Sequence, residues 1–202
     1  MWFCFKVSKL NPTKSMNQKN FLKIFVLIFF IFFILSGAIF ATEQKIKVIK
    51  DQEYFFVLQE AIRDAQKCIK VVVFEIGYYP NHPLSPSNIL IHELILAKKR
   101  GVDVKVLLDV SEWNLKLTEK NTSAGKILSK GGVTVRYDSP KKTTHTKLVI
   151  IDDSFAILGS NNWTYYSLTQ NRELAVLISY PPAIEELNAY FNELWEESRS
   201  LP

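Results

Sequence analysis

The feature that most constrains this 202-residue chain is the apolar run Leu148-Val149-Ile150-Ile151, headed by Thr144-His145-Thr146-Lys147 and closed by Asp152-Asp153-Ser154. The run is short, mostly β-branched and followed by turn formers. It therefore reads as a buried strand, with Phe155-Ala156-Ile157-Leu158 as its returning partner. Side chains alternate faces along a strand. His145 and Lys147 thus share one side, Val149 and Ile151 continue that face inward, and the hairpin returns Ser160 and Asn162 to the neighbourhood of His145.

The remaining body alternates between the two periods. Lys45 to Ile49 reads as a first strand, and a helical stretch from Asp51 runs through Phe55, Leu58, Ile62 and Ala65. Ile69 to Ile76 is a strand, Gly77 to Ser87 a loop rich in Pro and Tyr. The next helix, through Ile89, Leu90, Leu94, Ile95 and Ala97, stops at Lys98-Lys99-Arg100-Gly101. Val102 to Asp109 is a strand, Ser111 to Thr122 a looser segment, and a helix through Ala124, Ile127 and Leu128 ends at Gly131-Gly132 before a strand at Val133 to Tyr137. Beyond the hairpin, Asn171 to Ile178 reads as a strand with a polar start. Ile184, Leu187, Tyr190, Phe191 and Leu194 give the apolar face of a closing helix. This order implies an α/β fold, a mixed β-sheet flanked by helices, in a single domain over residues 42–202.

The net charge of +5 sits in the first 41 residues, which hold five lysines and no acid; the rest carries 20 bases and 20 acids. Overall basicity is therefore no argument for a polyanionic partner, and only local patches count. Residues 98–147 hold twelve bases against five acids, and Lys141 and Lys142 directly precede the histidine strand, where they can steer an anion. Taken singly, each is equally an ordinary solvated lysine. Of the two cysteines, Cys4 lies in the leader and Cys68 is expected as buried core filler. No zinc spacing is present, and neither a metal nor a cofactor is implied.

Residues 1–41 read as a signal peptide or an N-terminal membrane anchor. Ile24 to Leu35 is an uninterrupted apolar core of 12 residues, preceded by lysines and followed by Ser36-Gly37-Ala38-Ile39-Phe40-Ala41. Such a core suits a signal peptide, whereas a spanning helix needs roughly 20 apolar residues. Cleavage after Ala38 or Ala41 and a start at Met1 or Met16 both fit. Export, to a periplasm or outside the cell, is favoured over an uncleaved anchor; either way the domain lies outside.

Hydrolysis of a phosphodiester needs a nucleophile, an acid for the leaving oxygen and positive charge on the non-bridging oxygens. His145 can serve as either of the first two near neutral pH, Lys147 supplies fixed charge, and Ser160 and Asn162 supply neutral donors. The pattern His145-Thr146-Lys147, then Asp152, then Gly159-Ser160-Asn161-Asn162, with Glu173 at the start of the following strand, resembles the HKD signature of the phospholipase D superfamily. The likeness extends over roughly Lys45 to Arg199.

That resemblance implies a phospholipase D/nuclease-like sandwich and a metal-independent phosphodiesterase. His145 and Lys147 would be catalytic, Glu173 would orient its histidine, Asp152 would support, and Ser160, Asn162 and Lys147 would hold phosphate oxygens. Many members carry the signature twice; this chain carries it once, since neither His82 nor His92 begins a second His-x-Lys. A two-histidine mechanism then requires a homodimer with both copies at one site. Exported single-signature members look most like small endonucleases acting on DNA or RNA without sequence preference. Phospholipid head-group hydrolysis is the alternative substrate class, with Tyr78-Tyr79-Pro80 or Trp163-Thr164-Tyr165-Tyr166 able to meet a bilayer or stack on bases. A non-catalytic nucleic-acid-binding module is a third reading.

Overall fold

The computed structural model describes residues 46–200 together with Lys23. The expectations about the leader, its cleavage and its anchoring fall outside the described residues. Residues 44–202 form one compact unit.

Its elements are β1 (Ile46–Lys50), α1 (Glu53–Asp64), β2 (Cys68–Val73), α2 (Pro86–Lys99), β3 (Asp103–Leu108), α3 (Leu115–Lys130), β4 (Thr134–Tyr137), β5 (Lys147–Ile151), β6 (Phe155–Gly159), α4 (Tyr165–Thr169), β7 (Leu174–Ile178) and α5 (Pro181–Glu197). The strands form one mixed sheet in the order β1-β7-β6-β5-β2-β3-β4. β2, β3 and β4 run parallel, as the intervening helices demand, and every other pair is antiparallel. The direction changes at the seam between β5 and β2, where Lys147 pairs with Val73. The start of β5 consequently lies beside the C-terminal ends of the parallel strands, the edge at which open α/β sheets bind ligands.

Both faces of the sheet are covered. Val149 and Ile151 join the larger core, with Leu58, Ile62, Leu90, Leu94 and Leu128 of α1, α2 and α3. Leu148 and Ile150 join the smaller core, with Ile184, Phe191, Leu194 and Trp195 of α5. Strict alternation along β5 is what sorts the four residues, so the expected continuation of the Lys147 face into the interior is observed. α2 ends as its basic last turn and Gly101 direct, the glycine standing at φ 97°.

Three expectations are corrected. The looser segment from Ser111 to Thr122 is largely helix, because α3 begins at Leu115. Its polar residues, which weaken the apolar period, make hydrogen bonds to the backbone instead. Asn114 Oδ1 caps the Leu117 N–H at 3.2 Å, and Thr118 Oγ1 both accepts from Ser111 N and donates to Ser111 O. Asn121, fully buried, accepts from Ile76 N and donates to Phe74 O and Asp109 O. Cys68 is not core filler: as the first residue of β2 it is half-buried, with burial the main cause pushing its thiol above the ordinary value. On α5, Tyr190 is 41% exposed and turns toward Thr146 rather than the core.

Candidate active site

His145 is exposed two residues ahead of β5, and its ring packs on Phe74, with centroids 4.4 Å apart at 58°. Phe74 is the residue after β2, so the seam brings it there. Lys147 is 6% exposed. Its Nζ donates to the His145 backbone oxygen at 2.7 Å and stands 4.8 Å from the Phe74 ring centroid. One aromatic ring thus contacts both the imidazole and the ammonium. Burial holds the Lys147 ammonium below its ordinary pKa, against the opposing pull of Glu173, Asp109 and Glu75. Burial, and then the Lys147 charge, lower the His145 pKa, which favours the neutral imidazole a nucleophile requires.

Ser160 and Glu173 meet across β6 and β7. Ser160 Oγ donates to Glu173 Oε2 and accepts from Leu174 N at 3.1 Å, and Glu173 Oε1 accepts from Ser167 Oγ at 2.8 Å and Asn171 Nδ2 at 3.2 Å. Gly159 makes this approach possible: a Cβ there would lie 2.4 Å from Leu174 O and 2.6 Å from the Ala175 Cα. Among the described residues, then, the carboxylate of Glu173 is held by Ser160, Ser167 and Asn171 rather than by the His145 ring. Its influence reaches the histidine strand as charge acting on Lys147. Asn162 is half-buried beside Asn161, its Oδ1 enclosed without a hydrogen-bond partner, and both amide atoms of Asn161 are likewise enclosed and unpaired.

Asp152 does not join this group. It stands five positions beyond Lys147, roughly 16 Å away at strand rise, at the other end of β5. There its carboxylate accepts the backbone N–H groups of Gln66 at 2.9 Å, Lys67 at 2.7 Å and Cys68 at 3.0 Å. Burial raises its pKa, but these three donors outweigh it and hold the carboxyl below its ordinary value. Asp152 and Asp153 both adopt φ 53°, a left-handed turn that Asp tolerates. The supporting role of Asp152 is therefore the pinning of the strand.

A hollow of about 300 Å³ is lined by His145, Thr146, Lys147, Leu148, Leu158, Gly159, Leu187 and Tyr190. A larger groove of about 680 Å³ lies against Tyr79, His82, Leu84, Tyr165 and Tyr166; it includes three of the aromatics expected to meet a bilayer or stack on bases, but none of the signature residues. Sequence reasoning missed Phe74 and Tyr190, whose apolar or helical context carries no polar signal. It also missed Asp109, Asp138 and Thr144, of which Thr144 precedes the histidine directly. Among the described residues no cluster of three His, Cys, Asp or Glu side chains is placed to hold a metal ion.

The fold and the sequence are shared with known proteins. A phospholipase D family member, Nuc from Salmonella typhimurium, is 26% identical and superposes with a TM-score of 0.66, over 79% of this chain and 99% of that one. NucT from Helicobacter pylori shares the fold at 17% identity and a TM-score of 0.61, over 79% of this chain and 100% of that one. The mitochondrial cardiolipin hydrolase of Mus musculus is 32% identical over 102 residues, 50% of this chain and 44% of its own length. That of Danio rerio is 28% identical over 73% of this chain and 59% of its own. The chain thus spans about half the length of the curated relatives it matches. Residues 58–195 match the family described as "Cardiolipin synthase, PLD-like domain", and with that the chain belongs to the phospholipase D superfamily of phosphodiesterases.

Proposed function

We propose that this domain hydrolyses the phosphodiester bonds of DNA or RNA without a metal ion, at a site that two copies of the chain complete. The observation that carries the reading is the Lys147–His145–Phe74 arrangement: an exposed imidazole biased toward its neutral form, with a nearly buried ammonium against its own backbone. A His145 ring nitrogen attacks phosphorus and the bond to the leaving oxygen breaks, giving a phosphohistidine. His145 of the partner subunit, as imidazolium, gives that oxygen its proton. The resulting imidazole then takes a proton from water as the water oxygen attacks phosphorus and the P–N bond breaks. Lys147 of each copy, with Asn162, faces the non-bridging oxygens, and Ser160 does so on release from Glu173.

Nucleic acid is favoured as substrate by exposed Lys141 and Lys142 on the segment entering the site, since backbone charge dominates non-specific affinity. A relative named 5'-3' exonuclease PLD3, from Xenopus tropicalis, is 34% identical over 54% of this chain. Phospholipid is the second reading, favoured by the cardiolipin hydrolases among the relatives. Leaderless protein assayed in EDTA on single-stranded DNA, duplex DNA, RNA and vesicles of phosphatidylcholine with cardiolipin separates the two. Cleavage of nucleic acid is expected; cleavage of lipid alone overturns the substrate class, and a strict metal requirement overturns the two-histidine mechanism. Mixing His145→Ala chains with wild type tests the shared site, because mixed dimers that keep full activity contradict it. For location, we propose export through the leader, with an uncleaved anchor as the alternative. Mass spectrometry of the mature N-terminus distinguishes them.

A further inference from the structure

Two carboxylates outside the signature converge on the residue before the catalytic histidine. Asp109 follows β3 and Asp138 follows β4, and because Leu108 pairs with Tyr137 across that parallel ladder, the two acids are the next pair in register. They are 0% and 3% exposed. Asp109 Oδ1 accepts the Thr144 N–H at 2.6 Å, and the Thr144 hydroxyl donates to Asp138 Oδ2. Asp138 Oδ1 also accepts the Ser139 N–H at 2.7 Å, and the Asp109 backbone oxygen accepts from Asn121 Nδ2 at 2.8 Å, while Asp109 Oδ2 is buried without a hydrogen-bond partner among the described residues. Thr144 is buried while its neighbour His145 is exposed.

Neighbouring buried acids oppose folding, because each charge is desolvated and each repels the other. A neutral strand-end residue would close the turn without that cost. What the two acids achieve together is to fix one backbone N–H and one hydroxyl of the same residue, from two adjacent strands. From the other side Lys147 Nζ holds the His145 carbonyl. The backbone on both sides of the histidine Cα is then immobilised, and the ring has only its own side-chain torsions left, one face of it against Phe74. Placement of a nucleophile within a few tenths of an ångström is worth orders of magnitude in rate.

We propose that Asp109 and Asp138 form a two-carboxylate clamp on Thr144 that sets the position of His145, making all three positioning residues for phosphodiester hydrolysis. This rests on the reading of His145 as nucleophile. The test uses Thr144→Val, which removes the hydroxyl held by Asp138 at nearly constant volume, and Thr144→Ser, which keeps it. Turnover of bis(4-nitrophenyl) phosphate is measured together with the imidazole NMR signals, which are readily assigned because the full chain has three histidines. The expected result, measured at a temperature where every variant is fully folded, is a kcat at least tenfold lower in Thr144→Val with KM within twofold, a shifted or broadened His145 resonance, and recovery to within threefold of wild type in Thr144→Ser. Asp138→Ala should behave as Thr144→Val. A Thr144→Val kcat within twofold of wild type with an unmoved His145 signal overturns the clamp, as does an equal loss in Thr144→Ser. If wild type turns over neither this ester nor nucleic acid, the proposed function fails, and the His145 signal alone then decides the clamp.

Discussion

The ammonium of Lys147 donates to the backbone oxygen of His145 at 2.7 Å, so the lysine that supplies charge to the site also ties down the residue it serves. Its charge is also the second cause, after burial, that lowers the His145 pKa.

Lys147→Met is therefore expected to do two separable things. Activity should fall by roughly a hundred- to a thousandfold, the usual loss for one preorganised electrostatic group. The His145 pKa should rise toward its ordinary value of 6.5 as the neighbouring positive charge disappears. An NMR titration of the imidazole measures the second effect independently of turnover.

Asp109 makes stability depend on pH. Burial, aided by Asp138, pushes its carboxyl up from 3.8 to about 6, against the Thr144 N–H and Lys147, which favour the ionised form. Between those values the folded chain holds a proton that the unfolded chain releases. This contribution therefore lowers stability as pH rises from about 4 to 6, after which it is constant. Asp109→Asn retains an oxygen for the Thr144 N–H without the charge. Urea denaturation should find it more stable than wild type at pH 7.5, by on the order of 1–3 kcal/mol, with the advantage gone by pH 4.

Asp152→Ala should unfold the protein more readily without touching the chemistry. Three backbone donors lose a charged acceptor, a loss on the order of 2–4 kcal/mol. The kcat per folded molecule should stay within about threefold of wild type. Since the folded carboxyl titrates below 3.8, its stabilisation is complete above that pH and fades as the pH falls through the folded value. A large fall in kcat at unchanged melting temperature would return Asp152 to the catalytic group.

Gly159→Ala tests the contact between β6 and β7. The new methyl would meet Leu174 O and Ala175, so the strands must part and Ser160 must leave Glu173. The expected destabilisation is about 1–3 kcal/mol, with Glu173→Gln reproducing any loss of activity but not the loss of stability.

The fold and half of the site were legible because their signals are local. Alternation along Leu148–Ile151 sorted that strand between two cores, and His145, Lys147, Ser160 and Glu173 are polar where apolar residues would be expected. Contacts made across the sheet were not legible. Phe74 looks like one more apolar residue after a strand, and it becomes a backing for His145 only through antiparallel pairing of β5 with β2. Asp109 and Asp138 end two strands, where Asp is ordinary, and only their register shows that both reach Thr144. In the segment 115–122, Thr118 and Asn121 hid a helix because their hydrogen bonds go to backbone outside it, of Ser111 in the preceding turn and of Phe74 across the fold, which no helical period records. Asp152 lies in the same signature as Lys147 yet at the far end of the strand, a separation invisible in letters that stand so close.

The interval between Lys147 and Asp152 is best regarded as a gauge. One end must set an ammonium beside Phe74 while the other docks onto the turn after α1, and five steps of extended chain is the distance between those two stations. Losing or gaining a single residue between them would turn Lys147 to the opposite face of the sheet, or pull Asp152 off its three donors. The signature thus records the breadth of the sheet at its seam as well as the groups that act there.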